Sequence, residues 1–289
     1  MKNTTKLRNL IRDKSIIMMP GVYDCLTARL AEETGFEAVI ITGAGLVASV
    51  LGFPDIGLIS MSEVLVQTRN IVRSTKLPVF ADCDTGYGNP LNVFRTVQEF
   101  EDAGVAGLFI EDQVFPKRCG HFAGKQVISK EEMIKKIEAA LDARRDKDLV
   151  IMARTDARAV YGLEDALERA QAYVEAGVDM IFVEAPQTIE EIAQIPKSVR
   201  APTMINLVEG GKTPLVSVDE LEKMGYKFAT FSGSAQKTAL KAMREFLLHL
   251  KETRSLDGVL DRIISLKERS DLLDLPKFYE MENKYTANK

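Results

Sequence analysis

Residues 111–121 read EDQVFPKRCGH and follow the apolar run GLFI at 107–110. That run suits a short buried strand, which places Glu111 and Asp112 at its C-terminal end and Lys117, Arg118, Cys119 and His121 on the loop beyond it. Acids, bases, a thiol and the flexible Gly120 share one short segment. Cys119 sits in a polar, cationic loop, a setting that favours thiolate and admits acid–base or nucleophilic work. With a reference pKa of about 8.5, its thiol is mostly protonated at neutral pH and can deliver a proton to a carbanion. Arg118 and Arg154 offer planar forks that hold carboxylates.

A second cluster, FADCDTGYGN at 80–89, carries Asp82 and Asp84 two apart at a strand end, and Glu111 closes the next strand. Three carboxylates on neighbouring strands make a hard oxygen site suited to Mg2+, which keeps several waters and takes further ligands from substrate. Asp55, in LGFPDIG, is a fourth candidate ligand. His121 is one of two histidines and neither belongs to a zinc-like pair, which argues against zinc. Bland readings stand beside these: helix capping for the acids, Asp156 among them, and inert burial for Cys25 and Cys83.

The elements that must position these groups repeat one unit. Short apolar runs at 16–19, 38–41, 79–81, 107–110, 150–153, 180–183, 203–205 and 228–231 suit strands covered on both faces. Helical patterns separate them, several closing on a glycine at 35, 104, 177 or 225. Eight βα units predict a closed (β/α)8 barrel of the α/β class. Strand ends carry Pro20-Gly21, Thr42-Gly43, Asp82 and Asp84, Glu111 and Asp112, Arg154 and Asp156, Glu184, Asn206 and Ser232. In a parallel barrel these gather at one rim. After the eighth run, a helix at 234–250 bears Leu240, Met243, Leu247 and Leu250 on a stripe, and shorter helical patterns follow at 260–266 and 277–284. We expect a barrel domain over residues 1–250 and a C-terminal helical extension over 251–289, whose surplus apolar faces call for a neighbouring subunit.

Composition narrows the class further. At 289 residues with 46% hydrophobic and 28% charged content, the chain can bury a large core. A net charge of −4 gives no basic field for nucleic acid or an anionic membrane, leaving small molecules as partners. Three cysteines at unrelated spacings make neither a disulfide framework nor a CxxC site, which suits a reducing compartment. The apolar run near the N-terminus is too short for a signal sequence, so a cytoplasmic protein is expected.

The run KRCGH at 117–121 resembles the signature of the isocitrate lyase and phosphoenolpyruvate mutase superfamily. PGVYD (20–24), TGAG (42–45), LGFPDIG (51–57), IEDQ (110–113), IMARTDA (151–157) and EGGKTP (209–214) resemble it in order, over nearly the whole chain. The resemblance implies a barrel, Mg2+ (or Mn2+), and a homotetramer with C-terminal helices exchanged between subunits. It implies that Asp82 and Asp84 hold the metal beside Asp55 and Glu111. Thr42, Gly43 and Ala44 would bind a keto-acid carboxylate through their amides, and Arg154, Glu184 and Asn206 would line the pocket with Tyr23, Lys117, Gly120 and Ser232. Cys119 would be the general acid of the carbon–carbon lyases, with Glu111, His121 and Arg118 also in the catalytic set. Loop 114–127, with Gly120 and Gly124, is expected to close over the substrate. Glu111, Tyr23 and a metal-bound water all remain admissible as the base.

Substrate choice turns on how many carboxylates can be paired. The methylisocitrate lyases of this superfamily hold a third carboxylate with an arginine near the end of the eighth strand, where this chain reads FSGSAQ (231–236). An unpaired carboxylate in a closed site would cost several kcal/mol. The expectation is therefore cleavage of a substituted malate such as 2,3-dimethylmalate to pyruvate and propionate. The alternatives are a 2-methylisocitrate lyase, an oxaloacetate hydrolase, for which Ser232 is the resembling residue, and a carboxyphosphonoenolpyruvate phosphonomutase, which would not need Cys119.

Overall fold

Each of the eight apolar runs forms a strand: β1 (Ile17–Val22), β2 (Val39–Ile41), β3 (Val79–Asp82), β4 (Gly107–Glu111), β5 (Val150–Thr155), β6 (Met180–Val183), β7 (Thr203–Asn206) and β8 (Phe228–Phe231). In the computed structural model, which describes residues 1–12 and 15–286, they pair in parallel and in sequence order, and β8 returns to β1 to close the barrel. The predicted (β/α)8 architecture is present. Helices α1 (Asn3–Arg12), α2 (Cys25–Glu33), α3 (Gly43–Val50), α4 (Met61–Ser74), α5 (Pro90–Ala103), α6 (Lys130–Ala143), α7 (Leu163–Glu175), α8 (Ile189–Ser198) and α9 (Val218–Met224) accompany the strands. Most start on a side-chain cap: Asp24, Ser60, Asn89 and Ser217 each form a reciprocal capping box with the residue three positions on. Two end on glycines in the left-handed region, Gly104 (φ 89°) and Gly225 (φ 103°).

Strand alternation divides the core in two. One set of side chains, including Ile41, Ile110, Ile151 and Ile181, packs between strands and helices. The other fills the barrel interior: Ile17 and Met19, Ile40, Phe80, Phe109, Val150 and Met152, Met180 and Phe182, Met204, and Phe228. Burying each such side chain stabilises the fold by roughly 1.5–3 kcal/mol. Leu7 of α1, a helix the apolar pattern did not announce, joins the interior set and is 1% exposed.

Some boundaries differ from expectation. β1 runs on to Val22, so Pro20-Gly21 lies inside the strand rather than after it; Pro20 pairs in register with Phe231. Gly21 is required there, since a Cβ would stand 2.2 Å from the Ser232 carbonyl oxygen. At 260–266 there is a short 3-10 turn, Leu260–Arg262, instead of a helix, because Ser265 caps a helix that begins at the end of that segment.

Residues Met1–Gln236 form one compact unit, and a second begins at Lys237. The second is helical, with most of α10 (Ser234–Thr253), then α11 (Leu266–Leu272) and α12 (Leu275–Tyr285). None of these three helices contains a buried residue. Residues 287–289 of the expected extension lie outside the described residues. Among the described residues, no helix is long and apolar enough to cross a membrane.

Candidate active site

In six of the eight strands, β2 to β7, two-residue periodicity leads from an interior side chain to a polar one at the C-terminal rim. Phe80 leads to Asp82, Phe109 to Glu111, Met152 to Arg154, Phe182 to Glu184, Met204 to Asn206 and Ile40 to Thr42. The aromatic members make a floor: the Phe80 and Phe109 rings are stacked at 6.5 Å, Phe109 meets Phe182 edge-on at 6.0 Å, and the Arg154 guanidinium lies 5.2 Å above the Phe182 ring.

On that floor the acids converge. Asp82 is anchored by backbone, its Oδ1 accepting from the Asp84 amide at 2.9 Å and its Oδ2 from the Gly43 amide at 3.3 Å. Asp84 takes a left-handed backbone (φ 47°), strained for a residue with a Cβ. Its carbonyl accepts from the Glu111 amide at 2.8 Å, and the buried Lys136 caps the neighbouring Thr85 carbonyl at 3.2 Å. Lys117 Nζ forms ion pairs with Asp55 Oδ1 at 2.6 Å and Asp84 Oδ1 at 2.7 Å, all three side chains being nearly buried. Arg154 Nε stands 3.3 Å from Glu111 Oε2 and 3.7 Å from Glu184 Oε2. Asp156 grips the same guanidinium at two points, at 2.9 and 3.1 Å.

Negative charge is in surplus, since Asp55, Asp82, Asp84, Glu111, Asp156 and Glu184 outnumber Lys117, Lys125 and Arg154. The electrostatics follow. Burial raises Asp82 and holds Asp84 at about 6 despite Lys117, and it pushes Glu111 well above the carboxylate range even with Arg154 beside it. Burial disfavours the Lys117 charge, yet Asp84, Asp55, Glu111 and Asp82 together keep it firmly protonated. Glu111 Oε1 is buried with no hydrogen-bond partner. Among the described residues, no three acid, histidine or cysteine side chains form a cluster able to hold a metal unaided. Asp82, Asp84 and Glu111 nevertheless suit a hard divalent cation held by one or two carboxylates and completed by water and substrate oxygens.

Loop 114–127 is tied at its base by the Gln113–Val127 bridge and the Val114 amide to the Gln126 carbonyl at 2.8 Å. Gln113 clamps the Arg118 backbone from both sides, at 2.8 and 2.9 Å. Gly120 lies on the site itself: a Cβ there would come within 2.5 Å of Glu184 Cγ and 2.6 Å of Arg154 Nη2. His121 Nδ1 accepts from the Lys212 amide at 3.1 Å, joining this loop to the EGGKTP segment. Its Nε2 stands 3.2 Å from Glu184 Oε1, within ion-pair distance though off the line of a hydrogen bond. Burial lowers the His121 pKa, so the imidazole is neutral, with its proton assigned to Nε2 by the Lys212 contact.

Cys119 is half-buried, and its amide donates to the Asp55 carbonyl at 3.1 Å. Burial, with smaller contributions from Asp55 and Glu184, raises its pKa, although the His121 amide acts in the opposite sense. The cationic loop therefore does not favour thiolate as expected, whereas the expected protonated thiol agrees with this direction. Arg118 is exposed and turns to the Ala123 carbonyl at 3.4 Å, away from the acids. Asp156 is no helix cap; it is fully buried, and its two cationic partners hold its pKa below the usual carboxylate range despite burial. Thr42 caps α3 by accepting from the Gly45 amide at 3.3 Å, leaving Gly43 and Ala44 at that helix start. Tyr23 is half-buried and packs near Gly45, and Ser232 Oγ donates to Asn206 Oδ1 at 2.9 Å. Cys83 belongs to the core.

Sequence reasoning missed Lys125, whose Nζ donates to Asp156 Oδ1 at 2.7 Å, and the supporting role of Asp112, which accepts from Thr155 Oγ1 at 2.7 Å, Tyr173 OH at 2.9 Å and the Asp156 amide at 2.9 Å. A lysine in a loop rich in basic residues carries no sequence signal for burial. Asp112 could have been found as the outward neighbour of Glu111 on a strand covered on both faces.

Residues 7–251 match the family model described as phosphoenolpyruvate phosphomutase. The chain is 44% identical to 2,3-dimethylmalate lyase of Eubacterium barkeri over the whole of both chains. It is 45% identical to 2-methylisocitrate lyase of Aeropyrum pernix, covering 96% of this chain and 88% of the relative. A solved structure of oxaloacetate acetylhydrolase in complex with 3,3-difluorooxalacetate superposes with a TM-score of 0.93 at 36% identity, covering 98% of this chain and 97% of the other.

Proposed function

Since the chain belongs to the phosphoenolpyruvate phosphomutase family, within the superfamily that includes isocitrate lyase, we propose that it is a carbon–carbon lyase cleaving a substituted malate such as 2,3-dimethylmalate to pyruvate and propionate. One observation carries this reading: Cys119 is a neutral thiol on a loop whose next residue, Gly120, rests against Arg154 and Glu184. Such a thiol can protonate a carbanion released inside a closed site.

Arg154, aligned by Asp156 and backed by Phe182, receives a substrate carboxylate. The Ala44 amide at the start of α3 offers a second anion contact, the Gly43 amide being held by Asp82 and the Gly45 amide by Thr42. Glu111 is the better placed side-chain base. To accept a proton Glu111 must be ionised, a form that burial opposes but that Arg154 at 3.3 Å and Lys117 favour, and its Oε1 has no hydrogen-bond partner. The Tyr23 phenol, raised by burial and by Asp24, stays protonated. Glu111 takes the 2-hydroxyl proton and the C2–C3 bond breaks. C2 becomes the carbonyl carbon of pyruvate, and the electron pair passes to C3 as an enolate that Cys119 protonates to propionate. Loop 114–127, joined to the 209–214 segment through His121 and Lys212, excludes water meanwhile.

Mg2+, or Mn2+, fits beside Asp82, Asp84 and Glu111, with Asp55 on the far side of Lys117; when bound it supplies positive charge that orients the substrate oxygens and acidifies the 2-hydroxyl. The apolar, unburied helices α10 to α12 support a homo-oligomer, with a tetramer exchanging C-terminal helices as the assembly implied by the family resemblance. A small carboxylate is the substrate class, and the cytoplasm is the compartment that the cysteine usage supports.

The Ser232–Asn206 hydrogen bond at the rim, with the likeness to oxaloacetate acetylhydrolase, favours oxaloacetate hydrolysis as a second activity. The deciding experiment measures α-keto acid release, with Mg2+ and EDTA blanks, from 2,3-dimethylmalate, 2-methylisocitrate and oxaloacetate side by side. Fastest cleavage of dimethylmalate is expected. Faster cleavage of methylisocitrate would mean that another cation pairs a third carboxylate, and the substituted-malate reading would fall.

A further inference from the structure

Lys125 stands near the end of loop 114–127, yet its side chain is 1% exposed and its partner Asp156 is fully buried. Its ammonium also donates to the carbonyl of Gly120, the residue that rests on Arg154 and Glu184. Asp156 is an anchor that does not belong to the loop. Its amide donates to Asp112 Oδ1, and Asp112 is gripped in turn by Thr155 and by Tyr173 of α7. Lys125 is thus a bolt from a loop into a fixed socket.

Burying an ammonium and a carboxylate together is costly, and apolar replacements of such pairs are often at least as stable. Stability alone therefore does not account for a lysine here, whereas position does. Asp156 Oδ1 is shared between Lys125 Nζ and Arg154 Nη2. With Lys125 seated, part of the Asp156 charge is already answered, and Arg154 retains more of its own for a carboxylate ligand. With the loop lifted, Asp156 would neutralise Arg154 alone.

We infer that Lys125 is a positioning residue whose ammonium latches loop 114–127 onto Asp156, coupling closure of the loop to the charge that Arg154 presents to a carboxylate. The inference rests on the lyase reading for its purpose, but not for its test.

The test compares the full-length enzyme with Lys125→Met, Lys125→Gln and Lys125→Arg. The first readout is the rate at which Cys119 is alkylated by the neutral reagent iodoacetamide, located by peptide mass so that Cys25 and Cys83 are counted apart. In the neutral variants, Cys119 alkylation should rise by about tenfold or more, within the usual range of coupling between linked equilibria. The Cys25 rate should not change, and Lys125→Arg should restore most of the protection. The second readout is oxalate, as a dicarboxylate probe, which should bind the neutral variants several-fold more weakly. Lys125→Gln is shorter by one carbon but keeps an uncharged hydrogen-bond donor in the buried socket, and serves if Lys125→Met misfolds. Parental alkylation rates in a folded neutral variant would overturn the latch. Absence of turnover with every malate would instead sink the lyase reading, with the alkylation result still deciding this one.

Discussion

Gly120 lies so close to Glu184 that a Cβ on Gly120 would stand 2.5 Å from Glu184 Cγ. A residue of a polar loop is thereby in contact with the end of β6, and the loop that carries Cys119 is seated on the pocket. Gly120→Ala forces either the loop or Arg154 and Glu184 to shift. Since misplacing catalytic groups by about 1 Å can cost about 100-fold, kcat/KM should fall by roughly that factor while the melting temperature stays near the parent value. Parental kinetics would show that closure tolerates the clash.

Cys119→Ser keeps the shape of the side chain but replaces a thiol by a much weaker acid. Turnover should drop by about 10²–10⁴, the usual worth of a positioned proton donor, with an unchanged fold by circular dichroism. A serine variant that turns over at the parental rate would remove Cys119 from the proton-transfer step.

Lys117 is buried between Asp55 and Asp84, at 2.6 and 2.7 Å. Lys117→Met would leave these acids without their nearest cation. A loss of about 3–5 kcal/mol of unfolding free energy is expected in urea titrations run with EDTA, because breaking a buried ion pair strands its charge. A loss below about 1 kcal/mol would indicate that the pair is solvated like a surface bridge.

His121 sets a pH dependence. Burial lowers its pKa below 6.5, against the pull of Glu184 and with Arg154 and Lys125 opposing its charge, while Asp156 favours it. The unfolded chain therefore binds more protons than the folded one just below the ordinary histidine value, so stability is fully present above about 6.5 and is lost as pH falls. The melting-temperature advantage of the parent over His121→Gln should accordingly shrink between about pH 7 and about pH 5, read by calorimetry. A constant difference would show that His121 does not titrate in the folded loop.

Asp84→Ala removes one of the acids assigned to the divalent cation. The Mg2+ concentration for half-maximal activity should rise by at least about tenfold, and thermal stabilisation by Mg2+, measured without substrate, should disappear. Retained stabilisation would move the cation elsewhere.

The sequence by itself determined the barrel and most of its polar rim. Apolar runs of four or so residues recurred with helical spacers, and two-residue alternation beyond Phe80, Phe109, Met152 and Phe182 already pointed Asp82, Glu111, Arg154 and Glu184 into one space. A strand has a period, so the direction of each side chain follows from its neighbours. Loop 114–127 has none. Only the tertiary structure decided that Arg118 faces solvent while Lys117 and Lys125 are buried, because Lys125 finds its partner Asp156 31 positions away and Lys117 pairs with acids on two other segments. The same holds for Cys119. Its reference pKa already pointed to a protonated proton donor, but that the flanking cations do not turn it into a thiolate follows from burial and from Asp55 and Glu184, groups that the fold brings to it from a loop and from the end of β6.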